Sequence, residues 1–415
     1  MHASGTVVAL FDDGRSRLGP LADLRASFDQ RLGALTCHER AHGVLGRVDA
    51  VFPQDHLLAL VTERYAHAPI SVGQIPTGAT QVVLINGALD CLADAADLNL
   101  GDALLTDDDT VAMTRLSVSD ATKFLEKGPT IAHLPSTACR RALSSGRVVR
   151  APWQLLDRLG ESLVADIATI GRTGEMTDRV ASGVIRFGHG PLQMDPTARV
   201  LPGATIDTTE GPVFLGPGAI VRPGAVLCGP VAILAHSTII DRALIKGRTV
   251  VGPYCKVGGE VGSCVFQGFS NKAHEGHLGD ALVGEWVNIG AGACNSNLLN
   301  TYGEVSTRLD ATGSHERTGR QFYGGIIGDH AKIAILVAMT TGSTIGTGAM
   351  IAVSRPPAFV ERFAWLTPER SQSYRFERFE TAMAAVMTRR KIDPGPAYVA
   401  RLRALHGAHF HGAAS

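Results

Sequence analysis

The sequence is poor in charge and in long apolar runs. Charged residues make up 19% of the 415 residues, and 39 basic residues balance 39 acidic ones. A net charge of zero argues against a nucleic-acid-binding protein, because neutralising phosphates needs an excess of Lys and Arg. No apolar run approaches the roughly 18–20 residues of a membrane-spanning helix. The first residues lack the basic segment of a secretory signal, so we expect none.

Cysteine and lysine are also scarce. The seven cysteines are odd in number and widely spaced, and no C-x-x-C pair occurs. This pattern predicts reduced, buried thiols in a cytoplasmic protein instead of a disulfide framework. Lysines are a small minority of the basic residues, yet Lys246, Lys256 and Lys272 cluster in one short stretch of the chain.

A six-residue repeat occupies the middle of the chain. A period of six fits neither a helix nor a two-residue strand alternation, but it fits a chain that turns a corner every six residues. It predicts a parallel β-helix in which one apolar side chain per side points inward. The repeat consists of Leu215, Val221, Leu227, Ile233, Ile239, Ile245, Val251 and Val257, and then of Ile327, Ile333, Met339, Ile345 and Ile351.

The flanks differ from the repeat. Apolar runs at 6–11 and 82–85 are separated by amphipathic stretches, which predicts an α/β sheet over residues 1–178. The β-helix is expected over 179–358. A C-terminal extension at 359–415 should contain a helix with Phe376, Phe379, Met383 and Met387 on one face, capped by Ser371 or Ser373.

The repeat is interrupted twice, between Val261 and Val283 and again at 295–322. We expect such interruptions to leave the coil as loops, where solenoids commonly carry function. The first contains His274 and His277 with several amides, and Asn and His are poor strand formers. Two alternatives stay open at this point. Asn288 would suit an asparagine ladder in the coil, and His236, His274 and His277 would suit a metal site between subunits.

These motifs resemble the acetyltransferase half of the bifunctional GlmU family, which joins an N-acetyltransferase to a uridylyltransferase. Residues 273–274, 278–281, 287–292 and Asn297 match the family motifs without a gap. The chain as a whole is most similar to a divergent sugar nucleotidyltransferase branch of that family. Residues 252–261, 270–274 and 284–288 carry this second likeness. The resemblance implies a left-handed parallel β-helix and a homotrimer with the acyl site between subunits.

The resemblance implies acetyl transfer from acetyl-CoA to an amino sugar 1-phosphate. His274 would be the general base, and backbone N–H groups around Ala291 would face the thioester. Ala338 and Ala352 would line the groove for the pantetheine arm. The family's sugar-phosphate lysine falls on Gly262, so Lys256 or Lys272 would have to replace it. The implied substrate-binding residues are Lys256, Glu260, Asn271, Lys272, His277, Asn288 and Asn297.

The N-terminal segment resembles a Rossmann-like sugar-1-phosphate nucleotidyltransferase domain. After the first apolar run, residues 13–21 keep part of the family's glycine-rich phosphate loop, with Arg17 as the catalytic arginine. Two loop glycines are replaced by Asp13 and Arg15. Arg25 or Arg31 would have to replace a missing lysine, and Asn86 stands at the family's metal position. The nucleotide-binding residues implied are Asp13, Gly14, Arg15, Ser16, Arg25 and Asn86, with Asp12 as a Mg²⁺ ligand.

The sequence therefore predicts a two-domain transferase. Acetylation of a glucosamine-1-phosphate-like acceptor would feed nucleotidyl transfer that makes a UDP-sugar such as UDP-N-acetylglucosamine. Two alternatives remain: a nucleotidyltransferase whose β-helix serves only for trimerisation, and a non-catalytic subunit that senses sugar nucleotides.

Overall fold

A computed structural model describes residues 5–144 and 146–412. The chain divides into two compact units. The N-terminal domain holds the residues up to Arg17 and those from Leu24 to Ala151, and the coil domain holds Leu18–Asp23 and the chain from Pro152 onward. The main part of the coil domain thus begins at Pro152, whereas the predicted boundary is at residue 178. No helix within the described ranges is both long and apolar enough to cross a membrane.

The N-terminal domain is a seven-stranded mixed sheet of order β3-β2-β1-β4-β6-β5-β7. Strands β1 to β4 are parallel, β6 is antiparallel to both β4 and β5, and β5 and β7 are parallel. The predicted α/β sheet is confirmed. Its elements are β1 (Thr6–Phe11), α1 (Cys37–Leu45), β2 (Ala50–Phe52), α2 (Leu58–Arg64), β3 (Ser71–Val72), β4 (Gln81–Asn86), β5 (Asp102–Leu105), β6 (Val111–Ser117), α3 (Val118–Glu126) and β7 (Cys139–Ala142).

Short 3-10 helices connect several of these elements. They are Gly19–Ala22, Ser27–Asp29, Asp55–Leu57, Ala93–Asp97 and Ile131–His133. The first of them belongs to the coil domain, whereas the others belong to the N-terminal domain.

The coil domain begins with two helices and continues as short strands. The first part contains α4 (Gln154–Asp157), α5 (Leu159–Thr173), β8 (Ile185–Phe187), β9 (Leu192–Met194), β10 (Arg199–Val200), β11 (Thr205–Asp207), β12 (Val213–Leu215), β13 (Ile220–Val221), β14 (Val226–Cys228), β15 (Val231–Ile233), β16 (Thr238–Ile239), β17 (Leu244–Ile245), β18 (Thr249–Val251), β19 (Lys256–Val257), β20 (Glu260–Gly262), β21 (Val265–Gly268), β22 (Asn271–Lys272) and β23 (His277–Gly279).

The remaining elements run through the second interruption to the C-terminal extension. They are β24 (Ala281–Glu285), β25 (Asn288–Ile289), β26 (Cys294–Asn295), β27 (Ser306–Thr307), β28 (Glu316–Arg317), β29 (Gly325–Ile327), β30 (Lys332–Ile333), β31 (Ala338–Met339), β32 (Ser343–Ile345), β33 (Met350–Ile351), β34 (Phe359–Val360), β35 (Ala364–Leu366), β36 (Ser371–Ser373), α6 (Phe376–Thr388) and α7 (Pro396–Gly412).

These strands stack into three parallel sheets, which confirms the predicted β-helix. The sheets have ten, nine and six strands; β36 joins the ten-stranded sheet antiparallel to β35. Leu215 pairs with Ile233 and Ile233 with Val251, so three consecutive repeats make one regular coil with three corners. Every repeat position named from the sequence lies in one buried apolar column along the coil interior. Burying an Ile, Leu or Val contributes about 1.5–3 kcal/mol each, so the column is the main source of the domain's stability.

The two interruptions have different outcomes. Residues 296–324 leave the coil, as predicted, and carry the small antiparallel hairpin β27–β28. The segment between Val261 and Val283 is not a loop, because β20 to β23 continue all three sheets. Its inward positions are Val261, Phe266, Lys272 and Leu278, so the strict period is relaxed by a shorter spacing between the first two.

The C-terminal extension matches the prediction in its helix but not in its cap. Helix α6 buries Phe376, Phe379, Met383 and Met387. Ser371 and Ser373 lie in strand β36, and the residue before the helix is Arg375, which makes no side-chain cap. Pairing with β35 therefore takes precedence over capping in this segment.

Asp23 ties the segment Leu18–Asp23 to the last coils. Its side chain is 6% exposed and accepts hydrogen bonds from Arg362 Nε and Nη2 at 2.7 and 2.8 Å. Thr347 Oγ1 donates to the same carboxylate at 2.6 Å. Removing one partner of such a pair leaves the other charge with poor solvation.

We expect Asp23→Ala to lower the free energy of unfolding of the coil domain by about 3 kcal/mol. Urea denaturation followed by circular dichroism measures this loss. Asp241→Ala is the matched control, because Asp241 pairs with Arg222 at 3.0 Å on the exposed surface and its loss should leave stability near wild type. Equal effects of the two substitutions on the free energy of unfolding would contradict the stabilising role of the Asp23–Arg362 pair.

Candidate functional site

The phosphate-loop segment follows β1, at the carboxyl ends of the parallel strands, where open α/β sheets bind ligands. Gly14 has φ +68°, a left-handed conformation that favours glycine. Arg15 and Arg17 are exposed beside it, and Ser16 Oγ donates to the carbonyl of Val149 at 2.6 Å. Arg25 is only 2% exposed, so the structure places it in the interior and not on the surface of this loop.

Asp13 lies in a buried ion pair. Arg150 donates from Nη1 and Nη2 to its two carboxylate oxygens, each at 2.8 Å, and the Asp13 side chain is 2% exposed. Asn86 Nδ2 donates to the same carboxylate at 2.9 Å. Burial favours the protonated acid, but the Arg150 hydrogen bonds and charge outweigh it and hold the pKa of Asp13 below its usual value.

The residues predicted to hold Mg²⁺ do not fit the ion as they stand. Asn86 is fully buried, and its Oδ1 accepts from the Ala88 N–H at 3.0 Å. Asp12 accepts from the N–H groups of Gly14 and Ser27 at 2.9 and 2.8 Å, one on each oxygen. Within the described part of the chain, no group of three His, Cys, Asp or Glu side chains could hold a metal. These oxygens accept hydrogen bonds that maintain the loop conformation instead of facing a metal ion.

A cleft of about 720 Å³ opens beside this loop, inside the N-terminal domain. The ends of β1 and β2 and one side of α3 form its walls. Gln54, which the sequence analysis did not identify, donates from Nε2 to the carbonyl of Asp12 at 2.6 Å and so holds the loop in place. Gln74 also lines the cleft. Both glutamines lie just after strands of the parallel sheet, and that position is the signal that could have found them.

A larger groove of about 1370 Å³ lies within the coil domain. Helix α5 forms one wall, the corners of successive coils form the floor, and residues 319–322 of the polar segment form the far end. Its polar and charged lining residues are Asp157, Glu161, Glu210, Lys246, Arg248, Ser263, His277, Asp280, Asn297, Arg320 and Gln321. Two residues of the predicted acetyl-transfer site, His277 and Asn297, meet here.

Lys246 supplies a cation to the groove. Its backbone N–H donates to the Val261 carbonyl at 2.8 Å, and a side chain added at Gly262 would come within 3.1 Å of Lys246 Cβ. Lys246 therefore occupies the space over Gly262, the position where the GlmU resemblance places its sugar-phosphate lysine. Its ammonium contacts Glu260 Oε1 at 2.5 Å. The sequence analysis noted Lys246 only as part of the lysine cluster.

The two lysines proposed as replacements lie elsewhere. Lys272 is 1% exposed inside the coil and donates from Nζ to the carbonyls of Gly258 and His274 at 3.1 and 2.9 Å. Burial lowers its pKa, and its hydrogen bonds stabilise the coil instead of facing a substrate. Lys256 is exposed on the ten-stranded sheet, where it pairs in register with Asn271.

Three other predicted residues lie outside the lining of the groove. Asn271 and Asn288 are register partners on the ten-stranded sheet, and Asn271 Oδ1 accepts from Arg390 at 3.2 Å. This places Asn288 on the outside of the coil, not in an interior ladder. His274 is exposed at the turn between β22 and β23.

The predicted pantetheine residues lie farther along the coils. Ala338 and Ala352 are exposed, and Ala291 is half-buried. Leu336, 69% exposed, donates its N–H to the Ala291 carbonyl at 2.8 Å, which stacks these two corners. Leu336 and Ala338 thus present apolar side chains on the surface beside Ala291.

Comparison with known proteins identifies a family for the N-terminal part of the chain. Residues 8–173 match the family described as sugar nucleotidyl transferase, which confirms the resemblance for this segment. The chain therefore carries a sugar nucleotidyltransferase domain, followed by a β-helix and C-terminal helices.

Relatives include proteins named bifunctional protein GlmU. That of Xanthomonas campestris pv. campestris (strain B100) is 30% identical over 149 residues, covering 36% of this chain and 25% of its own. That of Synechococcus elongatus is 28% identical over 163 residues, covering 38% and 34%. That of Xylella fastidiosa (strain M12) is 26% identical over 211 residues, covering 48% and 36%. The matches thus span about a quarter to a third of these relatives.

The Asp13–Arg150 pair leads to a pH-dependent prediction. We expect Arg150→Gln to lower the free energy of unfolding by about 3 kcal/mol at pH 7, because it leaves a buried carboxylate unpaired. A carboxylate whose pKa is lower in the folded than in the unfolded protein stabilises the fold at pH values above its unfolded pKa. This contribution is lost as the pH falls through the pKa of the folded protein. The deficit should therefore shrink below about pH 4.

Urea denaturation of wild type and variant at pH 7, 5 and 3.5 measures this dependence. Arg47→Gln is the control, because Arg47 pairs with Asp49 at the surface and its loss should change stability little at any pH. A deficit of the same size at all three pH values would contradict the ionised state of Asp13.

Proposed function

We propose that this chain is a two-domain transferase that acetylates an amino sugar 1-phosphate and handles the product as a nucleotide sugar. The acetyl donor is acetyl-CoA, and the acceptor resembles glucosamine 1-phosphate. The observation that carries the proposal is the groove of the coil domain, which Lys246, His277 and Asn297 line together. We further propose that the chain acts as a homotrimer.

The groove offers the chemistry that such an acceptor needs. Lys246 gives one ammonium for the phosphate, and Arg248 lies on the next corner of the floor. Asp280 and Asp157, which both lie beside Arg320, give carboxylate oxygens that can accept hydrogen bonds from the amine at the other end. The asparagine amide of Asn297 fits a sugar hydroxyl. A groove of mixed charge thus matches a molecule that carries an amine and a phosphate together.

The acetyl donor fits the adjoining corner. The surface formed by Ala291, Leu336 and Ala338 is apolar and exposed, which suits the pantetheine arm of acetyl-CoA. Backbone N–H groups near Ala291 would stabilise the oxyanion formed when the amine attacks the thioester. The resemblance gives the proton-accepting role to His274, whereas the groove itself presents His277.

The acetyl-transfer proposal is tested by thiol release from acetyl-CoA with glucosamine 1-phosphate. Lys246→Ala should raise the KM for the sugar phosphate about 10–100-fold, since a hydrogen bond to a charged group is worth roughly 1.5–3 kcal/mol. Lys256→Ala is the matched control and should stay near wild type, because Lys256 lies on another sheet.

Two results would contradict this proposal. The first is the absence of thiol release with any amino sugar phosphate from folded wild-type protein. The second is a strong effect of Lys256→Ala with a normal Lys246→Ala, which would move the phosphate site to the ten-stranded sheet.

For the N-terminal domain we propose UDP-sugar formation at the cleft beside residues 12–17, with Arg17 on the triphosphate. Charge neutralisation by an exposed arginine suits that role. The engaged side chains of Asp12, Asp13 and Asn86 favour a second candidate, a domain that binds a sugar nucleotide without forming it. In a domain that forms the UDP-sugar, Mg²⁺ would arrive with the nucleotide. In a domain that only binds the sugar nucleotide, Mg²⁺ would have no role.

Calorimetry and pyrophosphate exchange separate the two candidates. We expect UDP-N-acetylglucosamine to bind the wild type, and Arg17→Ala to reduce exchange of pyrophosphate into the nucleotide by about 100-fold. Arg47→Gln serves as the control because it also removes one exposed arginine from this domain. Binding with no exchange at any Mg²⁺ concentration would favour the sensing domain, and no binding would contradict both.

A further inference from the structure

His277 differs from the other candidate histidine in its surroundings. It is the histidine among the described residues that line the groove, whereas His274 is exposed at the preceding turn and is not part of that lining. His277 lies on β23, in register with Glu260 on β20. The two side chains therefore project from adjacent positions of the same sheet.

Each ring nitrogen of His277 has a defined environment. Nδ1 lies 3.5 Å from Glu260 Oε1. A methyl group at Gly279 would lie 2.7 Å from His277 Nε2 and 2.7 Å from Asn297 Nδ2, so both atoms lie over the bare backbone of Gly279. The ring thus directs one nitrogen to a carboxylate and the other to the groove floor.

The carboxylate is held in its charged form. Lys246 Nζ contacts Glu260 Oε1 at 2.5 Å, and this hydrogen bond lowers the pKa of Glu260. A carboxylate beside Nδ1 favours the tautomer with the proton on Nδ1, which leaves the lone pair on Nε2. That arrangement prepares a histidine to accept a proton.

The neighbouring amide is fixed as well. Asn297 Nδ2 donates to Asp280 Oδ2 at 2.7 Å, and Arg320 Nη2 lies 3.6 Å from the other oxygen of Asp280. Arg320 Nη1 also donates to Asp157 at 2.6 Å. The charged groups around the imidazole are therefore Glu260 with Lys246 on one side and the Asp280–Arg320 pair beyond Asn297 on the other.

We propose that His277 is the proton acceptor of the groove and that Glu260 is its positioning residue. This inference rests on the proposed acetyl transfer. The amine nitrogen of the sugar forms a bond to the acetyl carbonyl carbon, and the carbon–sulfur bond of acetyl-CoA breaks. The amine proton passes to His277 Nε2 and then to the departing thiolate, which leaves as free coenzyme A. His274 is not required for this transfer.

The test compares three variants in the thiol-release assay with glucosamine 1-phosphate. His277→Gln should lower kcat at least 100-fold, the usual contribution of a general base. His274→Ala tests the base that the resemblance implies, and it should lose less of its kcat than His277→Gln does. His189→Ala is the matched control and should stay near wild type, because His189 is exposed in the coil domain and does not line the groove. Circular dichroism and light scattering establish that each variant is folded and has the wild-type size.

Glu260→Gln separates positioning from a merely structural role. Loss of the carboxylate beside Nδ1 should lower kcat about tenfold in the wild-type background but change it little in the His277→Gln background, because Glu260 acts through His277. Glu260→Asp, which keeps a carboxylate, should recover part of the lost kcat.

The outcomes are distinct. A wild type that releases thiol, together with a folded His277→Gln that keeps more than a tenth of its kcat, would overturn this inference and leave acetyl transfer intact. An unchanged kcat in folded Glu260→Gln, or an equal loss in the His277→Gln background, would overturn the role of Glu260. A folded wild type that releases no thiol with any amino sugar phosphate would instead contradict the proposed function itself.

Discussion

The column of inward-facing apolar side chains is the constraint on which the coil domain depends. Each coil contributes one such residue per side, and stacking buries them continuously from Leu192 to Leu366. Because the column accepts few polar groups, polar chemistry is displaced to the corners and outer faces. The groove, with Lys246 and His277 on nearby coils, is a direct product of that displacement.

Lys272 shows how strictly the column decides a residue's role. It occupies an inward position in place of an apolar side chain, and its ammonium is retained only because two carbonyls accept its hydrogen bonds. A buried ammonium without such partners would cost several kcal/mol. Its neighbour in sequence, the exposed His274, has no such restriction.

In the N-terminal domain, burial removes polar side chains from the predicted binding site. Its loop after β1 keeps the position of a phosphate loop, but Asp13 forms a buried pair with Arg150, and Asn86 joins the same network. The side chains that stand at nucleotide and metal positions therefore stabilise the loop. The exposed Arg15 and Arg17 and the adjoining cleft keep the surface on which a nucleotide could bind.

The sequence by itself determined the architecture of the coil domain, because a parallel β-helix is the structure that buries the apolar residue of every six-residue repeat. It also determined the sugar nucleotidyltransferase likeness of residues 8–173 and the helix that buries Phe376 and Met383. It did not reveal that residues 262–282 continue the coil, since Lys272 hides an inward position behind a polar side chain.

Only the tertiary structure decided which residues meet. Lys246 lies over Gly262, and Glu260 lies beside His277, because the register between strands joins positions that lie one full coil apart in the sequence. Lys256 and Asn288 have the same residue types as groove residues but project from another sheet. The physical reason is that the position of a residue within its coil determines whether its side chain points inward or outward. Because the coils differ in length, this position cannot be counted off from a fixed sequence spacing.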